Sequence, residues 1–258
     1  MPRANHCIFC GNDLQGTRSR EHIFPKWLQE HLHLQRRELH HVLYTSDGQP
    51  TPTRRDHCFN SLVSGRVCST CNSGWLAQLE GQAKPHLVPL LDGTYTGAMP
   101  ATISGLVATW MFKTALTLDS VSQRTPKLVS KAHYDFLYQN KTVPLDVAIG
   151  MAHLINDELN WIQGGCGYAP VHQHTDGLRA YLRGTYRICL GVGHLAWRVD
   201  YWPPWPQDLG AAVRLHDHYE ASIAYPWLRG ARQVSWPPPD TINSVQEFYE
   251  SSWLRPII

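Results

Sequence analysis

Four of the seven cysteines stand as two C-x-x-C pairs, Cys7 with Cys10 and Cys68 with Cys71, and no other feature of the sequence constrains the fold as much. Two thiolates on one tight turn grip one side of a tetrahedral metal, and two such pairs complete a four-thiolate zinc site. A redox dithiol needs only one pair. Positions 11 to 67 separate the two turns, far more than in a short zinc ribbon, so a shared metal ties the entry of the chain to a helix start far along it. Cys58, Cys166 and Cys189 are expected to be buried free thiols.

Between the pairs lies Ser19-Arg20-Glu21-His22-Ile23-Phe24-Pro25, which reads as the end of a strand. Pro25 then opens a helix at its first position, with Trp27, Leu28 and Leu32 facing inward. A twisted strand end lets an adjacent carboxylate and imidazole share one divalent-metal site, one as ligand and the other as base. Phosphodiester hydrolysis needs an activated water, a cation on the scissile phosphate and a stabilised leaving oxygen. A histidine titrating near neutrality takes the proton, and oxygen ligands hold Mg²⁺ or Mn²⁺. Directly after the second knuckle comes Asn72, at the start of an expected helix with Trp75, Leu76, Leu79 and Ala83 on its apolar face. Its amide oxygen suits a second metal ligand, and the zinc knot is the device that would bring it to Glu21.

The order C-x-x-C, then Glu21-His22-Ile23-Phe24-Pro25, then Val67-Cys68-Ser69-Thr70-Cys71-Asn72, resembles the HNH branch of the His-Me finger nucleases. The resemblance implies a ββα-metal motif with Glu21 as metal ligand, His22 as general base and Asn72 as the helix ligand, the four cysteines being structural. It covers about a third of the chain. Glu replaces the commoner Asp before the His, and Asn stands where many members have the last His. Asn60 is the only candidate for the middle Asn, although it lies further from the knuckle than the common pattern. The long connection implies an insertion over 33–56.

Other clusters compete for the role. Asp56-His57 is a second acid-histidine pair without the following apolar-Pro signature. Glu80, two helical turns beyond Asn72, either faces the metal or belongs to a solvated face, and the solvated face is the preferred reading. His172, His174 and Asp176, and His216, Asp217 and His218, are read as surface histidine clusters.

Beyond the motifs, the longest apolar stretch, 101–118, is interrupted by Lys113 and several Thr and Ser residues, which favours a buried helix over a membrane span. It belongs to a largely helical segment, 87–140, expected to pack between the two ends of the molecule. Strands are expected at 146–151, 185–190 and 195–201, the last two joined as a hairpin through Gly191-Val192-Gly193-His194. A final helix is capped by Ser244 with Glu247 three residues on, its apolar face being Val245, Phe248 and Tyr249. The ten Trp and eleven Tyr, crowded at Trp197, Tyr201, Trp202, Trp205, Trp227 and Trp236, point to an aromatic core or interface.

Residues 1–84 carry ten Lys and Arg against seven Asp and Glu, and the remainder thirteen against fourteen. This places Arg18, Arg20, Lys26, Arg36, Arg37, Arg54, Arg55 and Arg66 on the face expected to meet phosphate. The first residues lack the apolar core of a signal peptide, so a cytoplasmic location is expected.

The expectation is therefore an α+β chain. A zinc-stabilised ββα-metal module over 1–86 precedes a helical segment and a small antiparallel β-rich region over 87–258 that serves binding, oligomerisation or regulation. The expected activity is metal-dependent endonuclease cleavage of double-stranded DNA, in a housekeeping or a gated defence or toxin role, with a homodimer suited to double-strand cleavage. The alternative is a zinc-stabilised nucleic-acid-binding module without catalysis.

Overall fold

Two short antiparallel strands, β1 (Glu21–His22) and β5 (Val63–Ser64), meet with Glu21 opposite Ser64 and His22 opposite Val63, in a computed structural model that describes residues 5–44, 50–52, 57–122, 124, 126–164, 184–204, 213–217, 220–250 and 252–256. The chain between them forms α1 (Lys26–His31), β2 (Glu38–Tyr44), β3 (Pro50–Pro52) and β4 (His57–Cys58). Pro25 sits just before the first helical residue of α1, and Leu28 is buried beneath it. A single turn, α2 (Ser69–Cys71), continues through a wide turn at Asn72–Leu76 into α3 (Ala77–Leu91). Gly74 breaks helical geometry within that wide turn, with φ −93° and ψ −113°. Pro85 and Pro89 do not end α3, because Leu87, Leu90 and Leu91 bury its last turns.

The remaining elements are β6 (Gly97–Met99), α4 (Ala101–Val121), α5 (Lys131–Asn140), β7 (Val147–Gly164), β8 (Tyr186–Tyr201), β9 (Val213–Asp217), β10 (Ala224–Leu228), β11 (Val234–Trp236), α6 (Val245–Glu250) and β12 (Ser252–Pro256). The long strands β7 and β8 pair antiparallel along nearly their whole length. The other edge of β7 is shared. β10 pairs antiparallel with its first part, at Ala148 to Met151, and β2 pairs parallel with its last part, His40 opposite Asn160 through Leu43 opposite Gln163. The insertion over 33–56 thus contributes a strand to the main sheet.

Helix α4 starts after Pro100 and is buried without a break from Val107 to Ser120. A helix buried on every side must satisfy its polar groups internally. Thr109, Thr114 and Thr117 donate to the carbonyls of Gly105, Trp110 and Lys113. The Asp119 carboxylate accepts from the backbone N–H groups of Leu128 and Val129. The stretch read as a buried helix is one, and among the described residues no helix is long and apolar enough to cross a membrane.

One hydrophobic core runs from Cys7 and Phe9 through α3, α4 and the β7–β8 pair to Trp236. The boundary expected at residue 86 therefore falls inside α3 and inside a continuous core. A smaller cluster on the other face of the sheet joins Tyr44, Leu154 and Ile162 to Val245, Phe248 and Tyr249 of α6. That helix begins as expected, with the Glu247 N–H donating to Ser244 Oγ and the Glu247 carboxylate accepting from the Asn243 N–H. Trp110 and Trp197 meet in the main core with ring centroids 5.7 Å apart, so this part of the aromatic load is core.

The hairpin expected at Gly191–His194 does not form. β8 runs straight through it, and the glycines answer close approach instead of a turn. A Cβ on Gly191 would lie 2.2 Å from Val245 Cγ2, and one on Gly193, at φ +61°, would lie 2.6 Å from the Leu91 carbonyl oxygen. The irregularity falls on β7, whose register shifts between His153 and Glu158, where the Ile155 N–H donates to the Ile242 carbonyl and the Ile242 N–H donates to the His153 carbonyl.

Candidate functional site

The four cysteines of the two C-x-x-C turns converge. Their Sγ atoms all lie within 4.8 Å of one another, with Cys10 and Cys68 at 3.6 Å. Tetrahedral zinc with sulfur at about 2.3 Å sets its ligands roughly 3.8 Å apart, so the cluster has the dimensions of a structural metal site. Backbone bonds zip the two turns together: Ile8 N–H to Arg66 O, Ser19 N–H to Val67 O and Ser69 N–H to Thr17 O. The N–H groups of Cys68 and Cys71 point at the sulfurs of Cys7 and Cys68. Burial pushes the Cys7 thiol up, but backbone donors from Cys68, Cys10 and Phe9 outweigh it and hold its pKa below the ordinary thiol value. Burial pushes Cys71 well above it. Four sulfurs so placed, with N–H donors aimed at them, suit thiolate ligands of one metal such as zinc.

Of the other cysteines, Cys189 is buried, and burial pushes its thiol up to about 12. Cys58 is half-buried and donates to Asn60 Oδ1 at 3.1 Å. Cys166 lies outside the described residues.

Glu21 is 4% exposed. Burial raises its pKa, the ammonium of Lys113 opposes this, and the carboxylate of Glu80 adds to it. Lys113 projects from the middle of α4, fully buried, with Nζ 3.4 Å from Glu21 Oε1 and 2.7 Å from Glu80 Oε1. Burial pushes the lysine pKa down, but Glu80 and Glu21 reverse that and hold it above the ordinary value, so Lys113 is a cation. Glu80, read from sequence as part of a solvated face, turns inward: the bend at Gly74 precedes α3, and the buried ammonium supplies a partner that no exposed face could offer.

His22 follows Glu21 on β1, half-buried, with Nδ1 enclosed and without a hydrogen-bond partner among the described residues. Burial lowers its pKa, Lys26 and Arg20 lower it further, and Glu80 partly offsets them. The imidazole is therefore neutral near pH 7, the form that accepts a proton. The structure thus brings together Glu21, Glu80 and Lys113, with His22 next to Glu21 on β1.

Asn72 holds its expected place at the end of α2, where its backbone N–H bonds Cys68 O at 3.0 Å. Among the described residues no side-chain hydrogen bond joins it to Glu21 or His22. Asn60 lies exposed in the 59–61 turn and is engaged by Cys58. Asp56 is outside the described residues, and His57 packs toward His41 and Trp161 with ring centroids 6.1 and 6.3 Å away. His172, His174, Asp176 and His218 are likewise outside, and His216 and Asp217 lie on β9. Of the basic candidates, Arg37 pairs with Asp157 at 2.6 Å, and Arg54 and Arg55 are outside the described residues.

Sequence reasoning missed Lys113 as a member of the site. The available signal was a lone lysine in an otherwise apolar helix, which demands a buried carboxylate. No family model, curated protein or solved structure matches the chain.

Proposed function

We propose that the protein is a metal-dependent endonuclease of the HNH type that hydrolyses phosphodiester bonds in DNA. The observation that carries the reading is the pairing of a buried carboxylate with a neutral histidine, Glu21 and His22, on a short strand pair next to a helix start anchored by four clustered cysteines. In this reading His22 takes the proton of the attacking water. Glu21, with Glu80 beside it and Asn72 at the helix start, would hold Mg²⁺ or Mn²⁺, since carboxylate and amide oxygens are the hard donors such ions take. The bound ion supplies positive charge at the scissile phosphate and the leaving oxygen. The four cysteines hold a separate structural zinc and take no part in the chemistry.

One observation favours a second reading, a zinc-stabilised nucleic-acid-binding module without catalysis. Lys113 already supplies Glu21 and Glu80 with a cation, so the acids are satisfied without a divalent ion. Plasmid nicking separates the two. The wild type is expected to nick with Mg²⁺ or Mn²⁺, and His22→Ala to lose at least about 100-fold in rate, the usual contribution of a general base. Absence of metal-dependent cleavage by folded, zinc-loaded wild type overturns the enzymatic reading and leaves the binding module.

A further inference from the structure

A cleft of about 450 Å³ opens beside the first cysteine turn, between Ile8, Arg66 and the segment that joins α4 to α5. Its charged lining is one-sided. Arg66, Lys127 and Lys131 line it together with His6, and no Asp or Glu does. Lys131 is spent on Asp135, one turn away on α5, and stands at the rim. Arg66 and Lys127 are the two cations available inside.

Both are under-compensated. Arg66 is half-buried, and its Nε is enclosed with no hydrogen-bond partner among the described residues. A guanidinium offers five donors in a fixed fork, and leaving an enclosed one unmet is costly. Lys127 is half-buried and donates to the carbonyl and hydroxyl of Ser122. Burial lowers its pKa, Asp119 opposes that, and Arg66 lowers it further, so the two cations repel across the cleft. Asp119 is buried and does not line the cleft; it offsets part of the Lys127 charge while accepting from the Leu128 and Val129 N–H groups. Two facing cations with spare donors and no carboxylate in the cleft wall suit a tetrahedral anion. Cys7 and Gly11 complete the lining, Ile8, Val129 and Tyr134 give it apolar walls, and the volume exceeds that of a bare ion. The occupant should therefore carry an organic part beside its charge.

We infer that this cleft binds a backbone phosphate of a nucleic-acid strand, held by Arg66 and Lys127 with its sugar against Ile8 and Val129. The inference rests on the nuclease reading for the identity of the ligand. It adds a phosphate site built partly from the first metal turn and partly from the α4–α5 connection, so that the region after residue 86 takes part in binding.

The test measures fluorescence anisotropy of a labelled DNA duplex with the zinc-loaded full chain, without added Mg²⁺, across about 50 to 200 mM salt. Arg66→Gln and Lys127→Met are each expected to weaken binding about 5- to 10-fold and to reduce the slope of log affinity against log salt by about one. Inorganic phosphate should compete with the duplex on the wild type and much less on either variant. Zinc content and melting temperature report folding, and Lys127→Met, distant in sequence from the cysteines, guards against a folding loss in Arg66→Gln. Unchanged affinity and salt slope in folded variants overturns the site. So does phosphate binding that the substitutions abolish while duplex affinity stays unchanged. His22→Ala separates the two readings, since it should abolish cleavage and leave the anisotropy unchanged. A wild type that binds through Arg66 and Lys127 but never cleaves keeps the site and loses the nuclease. One that cleaves while both variants bind normally keeps the nuclease and loses the site.

Discussion

Lys113 is fully enclosed and holds two carboxylates that would otherwise be uncompensated, Glu21 at 5% and Glu80 at 20% side-chain exposure. Removing one partner of a buried ion pair leaves the other charge without water or counter-ion, a loss of about 3 kcal/mol or more. Lys113→Met keeps the volume of the stem and should lower stability by that order in urea melts. If the two acids can also bind a divalent ion, Mg²⁺ should then raise the melting temperature of Lys113→Met more than that of the wild type, because the ion meets free carboxylates in the variant and an ammonium in the native protein. A variant as stable as the wild type would show that the lysine holds nothing together. At this scale the sequence was legible where spacing was local: the two C-x-x-C pairs converge as their spacing demands. It was not legible for Glu80 and Lys113, which lie far apart in the chain and meet only because α3 and α4 pack side by side.

The elements were readable where periodicity and capping decide them. Pro100 before α4 and Ser244 before α6 mark helix starts that the structure has. β8 was misread because Gly-x-Gly between two apolar runs carries the local signature of a hairpin, while the cause of those glycines is tertiary. Gly191 faces Val245 of α6, and Gly193 faces the last turn of α3. A methyl at Gly191 forces a stiff β-branched side chain aside, and overpacking of this kind costs about 1–3 kcal/mol. A methyl at Gly193 meets a backbone oxygen and a left-handed backbone as well, so Gly193→Ala should lose more than Gly191→Ala. Denaturant midpoints rank the two. Midpoints equal to that of the wild type would show that close approach does not demand glycine at either position.

Across the whole molecule, the joint between the N-terminal segment and the C-terminal sheet is the parallel pairing of β2 with β7. His41 lies on it, 2% exposed, its ring stacked on Trp161 at 3.5 Å and 4°. Burial, followed by His57 and Lys127, lowers its pKa from 6.5 to about 3. Burial also lowers His133 and His153, in α5 and β7. A histidine depressed in the fold takes up its proton more readily in the unfolded chain, so stability is full above about pH 6.5 and is lost as pH falls below that value toward the folded pKa. For His41 alone, 1.5 pH units below its unfolded value costs about 2 kcal/mol. His41→Phe keeps an aromatic ring against Trp161 and removes the proton site. The stability difference between wild type and His41→Phe, measured by urea unfolding at pH 7.5 and at pH 5, should therefore move by about 2 kcal/mol in favour of the variant at the lower pH. A difference that stays constant would mean that His41 is already protonated in the fold, or that the joint opens before the rest of the core. Amide exchange of Val42 and Leu43 tells these apart, since an opened joint exposes the β2 backbone and a protonated, closed one does not.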